Sequence, residues 1–239
     1  MAVVEALSSL VERVTGFSLV ATQLELRLLP FVAERAAALS LGSPLAYVRM
    51  LEGEGSTGEE WRRLIEVLTN GQTSFFRDGE QFAAIGELLR GQRGARPLQI
   101  WSAGCSTGEE PYSLAIVCAE LGVSARIVAS DLNRQFLARA ADGWFSEWAV
   151  RKVDPERRRR WFERGPRGLR VAAPLRAMVE LRPHNLVSEE PPRSSAPDGR
   201  WDLILCRNVF IYFDKDTQLQ VLRKFAALQP LGAYLCLGH

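Results

Sequence analysis

The sequence predicts an α/β protein in which an all-helical N-terminal part precedes a domain of alternating strands and helices. In the first third, apolar residues recur at three- and four-residue spacings with charges between them, the pattern of amphipathic helices. From Leu98 onward, short apolar runs alternate with longer amphipathic stretches, which indicates βαβ units and a mostly parallel sheet.

The helical part is predicted from apolar periodicity and from its turn residues. Ser43-Pro44 predicts an N-cap followed by proline at the first helical position. Pro30 could kink or split its helix, because proline removes a backbone donor and clashes with the preceding turn. The predicted helices cover residues 3–14, 24–39, 44–51, 59–68 and 80–90.

The rest of the chain is expected to form the sheet and its covering helices. Gly168–Val171 and Met178–Arg182 could pair as a short antiparallel hairpin. The sequence stops directly after a predicted strand, so we expect a truncated C-terminal end or the front part of a longer protein. The predicted strands cover residues 98–102, 126–130, 202–206 and 233–237, and the predicted helices cover residues 110–121, 134–141 and 215–228.

Composition is that of an ordinary soluble globular protein, with 239 residues, 47% hydrophobic and 24% charged. No signal-peptide pattern and no apolar run long enough for a membrane span is present, so we expect a cytoplasmic protein without membrane insertion. His184 and His239 are too few and too separated for a metal site. The cysteines lack metal-ligand spacing and are expected to be free thiols in a reducing cytosol. They are Cys105, Cys118, Cys206 and Cys236.

Positive charge is concentrated in one segment. Residues 151–182 carry eleven basic side chains against four acidic ones. This excess has two readings, a solvated surface or a docking site for an acidic partner, with nucleic acid a weaker candidate.

The turn after the first predicted strand carries the clearest chemical signal. Gly104-x-Ser106-x-Gly108 stands between a strand and a helix, as in the first βαβ unit of nucleotide-binding domains. The turn leads into Glu109 and Glu110, whose charges disfavour a diphosphate at the helix N-terminus. A sulfonium ligand with an α-amino group suits these carboxylates better. The turn therefore favours S-adenosylmethionine over NAD or ATP.

A further acidic residue stands at the end of the second predicted strand. Asp131 lies 27 positions after Gly104, where an acidic residue can accept hydrogen bonds from both ribose hydroxyls. The alternative is that Asp131 only caps the helix beginning near Asn133. Asn133 can make that cap itself, which favours the ribose role.

Four motifs follow one another along the chain. They are Thr73-Ser74-Phe75-Phe76-Arg77-Asp78, the run from Ile100 to Ser113, Ala129-Ser130-Asp131, and Cys206-Arg207-Asn208-Val209-Phe210-Ile211-Tyr212-Phe213-Asp214. Together with this pattern, the motifs resemble the CheR family of chemotaxis-receptor glutamate methyltransferases. They occur in the family's order and at about its spacing, and the resemblance covers nearly the whole chain.

The resemblance implies a fold, a reaction and a partner. The fold would be a class I S-adenosylmethionine methyltransferase domain (79–239), with a small antiparallel subdomain inserted at about 145–182 and an all-helical domain (1–78) in front. The reaction would transfer the methyl group of S-adenosylmethionine to receptor glutamate γ-carboxylates, leaving S-adenosylhomocysteine. The implied partner is the cytoplasmic helical bundle of a chemoreceptor. We expect a monomer, with fused or associated signalling domains as a further option and without nucleic-acid partners.

The resemblance also implies roles for individual residues. Arg77 and Tyr212 match positions near the transferred methyl group, where Arg77 could orient the carboxylate and Tyr212 could donate a hydrogen bond. Arg77 could instead form a structural salt bridge with Asp78 or with an acidic helix residue, and Tyr212 could be core. The positions implied to bind the cofactor are Thr73, Arg77, Gly104, Glu110, Asp131, Asn185, Leu186, Arg207 and Asn208.

One departure from the family pattern leaves an alternative function open. Many members carry Asn-x-Thr before the two phenylalanines, whereas Gly71 stands two residues before Thr73 and Asn70 is one position out of register. A non-catalytic S-adenosylmethionine-binding module of a larger signalling protein is therefore the alternative. A nucleic-acid amino-methyltransferase is disfavoured, because the Asp/Asn-Pro-Pro-Tyr type of motif is absent.

Overall fold

The computed structural model describes residues 2–20, 24–55, 58–92 and 96–238, so His239 lies outside the described residues. The chain divides into two compact units. The first unit comprises residues 1–70, 185–190 and 209–223, and the second comprises residues 71–184, 191–208 and 224–239. The predicted domain boundary at residue 78 stays a prediction.

The first unit begins with a series of helices that follow the predicted apolar periodicity. Ser43 accepts a hydrogen bond from the amide of Ala46 at 3.2 Å, which confirms the predicted N-cap. The predicted helix over 24–39 is split, because a π-helical turn at Leu24–Leu28 precedes an α-helix with Pro30 in its first turn. The α-helices are α1 (Ala2–Thr15), α2 (Leu29–Ala38), α3 (Pro44–Glu54) and α4 (Glu59–Leu68).

A buried polar cluster joins three of these helices. The guanidinium of Arg35 donates to both carboxylate oxygens of Glu60, at 2.8 and 2.6 Å. The hydroxyl of Tyr47 donates to the same carboxylate at 3.0 Å. Glu60 is only 7% exposed, so its charge depends on these partners rather than on water. The apolar core around the cluster includes Leu7, Val11, Leu28, Val32, Leu51, Trp61 and Leu64.

The second unit is built around a five-stranded parallel sheet, as predicted. Its strands are β1 (Leu98–Ala103), β2 (Ala125–Asp131), β6 (Val179–Pro183), β7 (Leu203–Cys206) and β8 (Tyr234–Leu237). Their order in the sheet is β6-β2-β1-β7-β8, and two of the three inner strands, β1 and β7, are buried along their whole length. The helices are α5 (Gly79–Arg90), α6 (Glu109–Leu121), α7 (Arg134–Asp142), α8 (Pro155–Trp161), α9 (Ala173–Arg176) and α10 (Lys215–Ala227), of which α10 begins in the first unit.

The predicted hairpin was wrong in its second strand. Met178–Arg182 does not pair with Gly168–Val171; β6 instead lies parallel to β2 in the main sheet. The partner of β5 (Gly168–Val171) is β4 (Phe162–Gly165), joined to it by the two-residue loop Pro166-Arg167. Helix α9 turns the chain away after β5, so the next extended segment reaches another sheet. Strand β3 (Trp144–Phe145) completes a three-stranded antiparallel sheet of order β3-β5-β4.

The carboxyl ends of three central strands meet at one edge of the parallel sheet. Residues Ser102 and Ala129 are paired in register, and so are Ser102 and Leu205. The segments that follow these strands therefore emerge side by side, and they include the glycine turn, Asp131 and Arg207. This is the edge where parallel α/β sheets bind their ligands.

Among the described residues, the four cysteines are free thiols. No cluster of potential metal ligands is found over the same ranges. None of the helices in the described part of the chain combines the length and apolar character needed to cross a membrane.

Candidate cofactor and active site

The glycine turn joins β1 to α6 through a backbone that requires small residues. Gly104 and Gly108 adopt φ values of 81° and 101°, in the left-handed region that favours glycine. A Cβ on Gly108 would lie 2.8 Å from the Cβ of Ala140, so this position also lacks space for a side chain. The hydroxyl oxygen of Ser106 is buried without a hydrogen-bond partner among the described residues. A buried unpaired hydroxyl beside such a turn is suited to a bound polar ligand.

Asp131 links the end of β2 to the glycine turn. Its carboxylate accepts hydrogen bonds from the amides of Ser106 and Asn133, both at 2.8 Å. Asn133 itself caps α7, as expected, accepting from the amides of Gln135 and Phe136. Asp131 is therefore not needed as the helix cap. Burial raises the pKa of Asp131 from its ordinary value of 3.8 to about 6, against the opposing effect of the amides.

Glu110 is held at the start of α6 by two partners. The hydroxyl of Ser102 donates to one carboxylate oxygen at 2.7 Å, and the guanidinium of Arg207 donates to the other at 3.1 Å. Burial raises the pKa of Glu110, while the charges of Arg207 and Arg77 oppose this rise. Together with Asp131, Glu110 brings negative charge to the edge of the sheet. Both carboxylates suit a ligand with a cationic group.

Arg207 connects four parts of the second unit. Besides Glu110, its guanidinium contacts the carbonyl of Arg77 at 2.6 Å, the carboxylate of Asp78 at 2.8 Å and the amide oxygen of Gln81 at 2.7 Å. Its side chain is only 1% exposed. We call these five residues, Arg77, Asp78, Gln81, Glu110 and Arg207, the Arg207 cluster.

The predicted residues Thr73 and Arg77 lie in the segment that leads into α5. Asp78 pairs with Arg207, so it does not form the salt bridge with Arg77 that was one reading of the sequence. The guanidinium of Arg77 donates to the carbonyl of Gln72 at 2.9 Å and is only partly buried. Arg207 bonds both the carbonyl of Arg77 and the carboxylate of Glu110, so the backbone of Arg77 is linked to the glycine turn through Arg207. The side chain of Arg77 remains partly exposed.

Backbone strain is concentrated around this site. Non-glycine residues with positive φ occur in the Thr73–Asp78 segment, in the glycine turn and after β7. Strain of this kind costs about 1–3 kcal/mol per residue and persists where surrounding contacts enforce it. The four residues are Phe76 (51°), Asp78 (56°), Ser106 (49°) and Asn208 (58°).

Three predicted site residues, Asn185, Leu186 and Tyr212, belong to the first unit. The side-chain oxygen of Asn185 accepts from the amide of Val187 at 3.0 Å, and its nitrogen donates to the carbonyl of Val14 at 2.8 Å. The side chain of Asn185 is thus already engaged within this unit. Leu186 is buried.

Tyr212 is partly exposed, which argues against a purely core role. Its ring lies 5.3 Å from that of Phe17, measured between centroids. Its backbone carbonyl accepts from the amide of Ser18 at 2.8 Å. The N-terminal segment after α1 therefore holds Tyr212 in place.

Sequence reasoning missed the side chains that support the site. No histidine partner is suggested for Ser102 or Ser113, so the sequence indicated no catalytic role for either serine. The structure shows that Ser102 donates a hydrogen bond to the carboxylate of Glu110. Ser113 accepts a hydrogen bond from the amide of the strained Phe76 at 3.0 Å. Gln81 carried no motif signal, because its partner Arg207 is 126 residues away in the chain.

Known proteins of one family are similar to most of this chain. Residues 71–239 match the family described as "CheR methyltransferase, SAM binding domain". A chemotaxis protein methyltransferase of Salmonella typhimurium is 37% identical over 216 residues, covering 87% of this chain and 73% of that protein. The Escherichia coli relative of the same name is 36% identical, covering 81% and 68%.

A third relative, chemotaxis protein methyltransferase 2 of Pseudomonas aeruginosa, is 38% identical over 237 residues, covering 95% of this chain and 81% of that protein. These matches and the parallel sheet with its glycine turn confirm the predicted class I methyltransferase fold and S-adenosylmethionine as the cofactor. The chain belongs to the CheR methyltransferase family.

Proposed function

We propose that this protein transfers the methyl group of S-adenosylmethionine to glutamate side chains on the cytoplasmic helical bundle of chemoreceptors. The observation that carries the proposal is the carboxylate-lined glycine turn, held by the Arg207 cluster, in a chain whose relatives are chemotaxis methyltransferases. We further propose a cytoplasmic monomer.

The reaction needs alignment more than acid–base catalysis. A glutamate with a pKa near 4.3 is already ionised at neutral pH. Its oxygen forms a bond to the methyl carbon as the carbon–sulfur bond breaks, and the sulfur keeps the electron pair. The products are a methyl ester and S-adenosylhomocysteine. The cofactor when bound supplies the electrophilic methyl group.

The residues of the chain then have distinct tasks. We assign Arg77 to orient the incoming carboxylate, since guanidinium and carboxylate form paired hydrogen bonds. We assign Tyr212 to donate one hydrogen bond near the methyl group. We assign Glu110 to the methionine or adenosine part of the cofactor and Asp131 to its ribose. Alignment and removal of water from the carboxylate supply most of the rate.

The affinity for the cofactor should depend on pH through Asp131. Its carboxylate must be ionised to accept from both ribose hydroxyls, and its pKa in the unliganded protein is about 6. We therefore expect the affinity for the cofactor to rise as the pH rises to about 6 and to level off above it. Because the pKa of Asp131 in the folded protein is raised above its ordinary value of 3.8, its contribution to folding stability falls over the same pH range. Calorimetric titration with S-adenosylhomocysteine between about pH 5 and pH 8 measures this. Asp131→Asn should bind more weakly with a flat profile in this range; a wild-type profile that is flat contradicts the ribose role.

The basic segment also yields a sharper docking prediction. Arg157 is paired with Glu120 at 2.8 Å, and Arg158 donates to the carbonyl of Val150 at 2.6 Å, so both serve the fold. Arg159 and Arg160 are exposed on the same helix. Reversing Arg159 and Arg160 to glutamate should weaken receptor binding roughly tenfold and flatten its salt dependence.

The control for this docking prediction is reversal of Arg167, another exposed arginine, which is paired with Asp142 at 2.8 Å. We expect a smaller change in receptor affinity for Arg167→Glu. Receptor affinity that is unchanged in the Arg159/Arg160 variant would mean that α8 presents only a solvated surface.

A methanol-release assay tests the proposed reaction. Membranes from the native host are incubated with the protein and methyl-labelled S-adenosylmethionine and then treated with mild base. We expect label on receptors that base converts to volatile methanol. Label on RNA that resists base would instead support a nucleic-acid methyltransferase.

The alternative of a non-catalytic cofactor-binding module is favoured by one observation. Where many family members have asparagine, a Cβ on Gly71 would lie 3.0 Å from the ring of Phe136. An asparagine could therefore fit at this position only if Phe136 moved. The contact that the family's asparagine makes is thus missing from this protein. Cofactor binding without turnover on any receptor preparation would support this alternative.

A further inference from the structure

The Arg207 side chain is nearly saturated by groups of the protein itself. Its Nε and both terminal nitrogens donate to four separate acceptors, at distances between 2.6 and 3.1 Å. The guanidinium also lies over the ring of Phe82, with 5.2 Å between its central carbon and the ring centroid. Since a guanidinium has only five N–H donors, little capacity is left for a ligand. The contacts therefore indicate a role different from direct binding by this side chain.

The acceptors of Arg207 belong to the two segments that carry the proposed chemistry. One is the backbone carbonyl of Arg77, so the guanidinium fixes the main chain at the residue assigned to the substrate carboxylate. Another is the carboxylate of Glu110, which directly follows the glycine turn. The remaining two, Asp78 and Gln81, lie at the start of α5. Asp78 has a φ of 56°, a strained conformation for which this pairing supplies a restraint.

We infer that Arg207 is a positioning residue. Asp78 and Gln81 fix its guanidinium, which in turn holds the backbone of Arg77 and the carboxylate of Glu110 at a fixed distance from each other. The planar fork is essential to this role, because one group must reach acceptors in several directions. The lysine ammonium is a compact point charge and cannot reproduce the arrangement. The part of the inference that concerns turnover rests on the proposed function; the part that concerns backbone order and cofactor affinity does not.

The first test measures backbone order without cofactor or receptor. The amides of Arg77, Gln81 and Phe82 bond to carbonyls of Ser74 and Asp78 and should be protected from hydrogen exchange. In Arg207→Lys, and more mildly in Gln81→Met, we expect exchange of these amides to accelerate about tenfold or more, with other helices of the second unit unaffected. Arg90→Lys, an exposed arginine on α5, serves as the matched control. Unchanged exchange in both cluster variants overturns the inference, and Gln81→Met keeps the test valid if Arg207→Lys fails to fold.

The second test separates positioning from direct contact with the cofactor. The affinity for S-adenosylhomocysteine is measured by calorimetry for Arg207→Lys, Glu110→Gln and the double variant. If Arg207 acts through Glu110, each single change should weaken binding about 10- to 100-fold and the double variant should be little weaker than either. Losses that add fully in the double variant would show that Arg207 acts on the cofactor independently of Glu110, which contradicts the inference. A failure of receptor methylation alone would leave both measurements intact and would count against the proposed function instead.

Discussion

Replacing Arg77 with alanine is expected to lower the methylation rate about 100-fold, because the rate depends on alignment and misplacing a reacting group by about 1 Å costs roughly this factor. Arg77 is linked to the glycine turn through Arg207, and its own side chain is only partly buried. It is not paired with the neighbouring Asp78, which bonds to Arg207 instead. Its guanidinium is therefore available for an incoming carboxylate. Its backbone carbonyl, which Arg207 contacts, is kept in the alanine variant, so the cluster should survive.

The measurement compares turnover with cofactor affinity in the same preparations. We expect the turnover to fall steeply, while S-adenosylhomocysteine binding changes by only a few-fold. Arg90→Ala, at an exposed position on α5, is the matched control and should retain full activity. A rate within a factor of about two of wild type would remove Arg77 from the mechanism. If the wild type has no turnover to lose, the cofactor-binding module becomes the better description.

Replacing Glu60 with alanine is expected to destabilise the first unit by about 3–5 kcal/mol, the cost of removing one partner of a buried ion pair. The change strands the charge of Arg35, whose side chain is 18% exposed, and the hydroxyl of the fully buried Tyr47. Native-state hydrogen exchange of α3 and α4 measures the loss within this unit.

Glu59→Ala is the matched control for this stability prediction. Glu59 stands next to Glu60 on α4, is 55% exposed and pairs with Arg62 on the surface. Its replacement should change stability by less than about 0.5 kcal/mol. Equal effects of the two replacements would contradict the importance of the buried cluster.

Acid should affect the same unit in a predictable direction. The hydrogen bonds from Arg35 are the main cause that lowers the pKa of Glu60 below its ordinary value of 4.5, against the opposing effect of burial. A lowered folded-state pKa contributes stability above the unfolded value, and this contribution is lost as pH falls through the folded value. The destabilising effect of Glu60→Gln should therefore shrink as the pH is lowered below about 4.5.

Periodicity and turn chemistry predicted most of the architecture. The N-terminal helices, the parallel strands and the glycine turn follow from local patterns that their residues carry in any context. The break in the predicted helix over 24–39 shows where local patterns fail. Pro30 predicted the position of the break but not the π-helical turn at Leu24–Leu28. Strand β4 was missed because Phe162-Glu-Arg-Gly has little β-branched character and its Pro166-Arg167 loop is not a common hairpin signal.

The site was predictable only for residues that belong to a recognisable motif or spacing in the sequence. The glycine turn and Asp131 have spacings that imply a ligand. Gln81 and Ser102 have no such spacing, and their function arises from side chains that the fold brings together. Arg207 illustrates both limits, since its motif implied a cofactor contact whereas its guanidinium is engaged by the protein.

The central claim, that this site esterifies glutamates of chemoreceptors, is tested most directly by locating the transferred methyl group. A receptor cytoplasmic fragment is incubated with the protein and methyl-deuterated S-adenosylmethionine, digested and analysed by tandem mass spectrometry. We expect deuterated methyl groups on glutamate side chains, removed by mild base and strongly diminished with Arg77→Ala. Deuterated methyl groups on other side chains, stable to base and unaffected by Arg77→Ala, would contradict it.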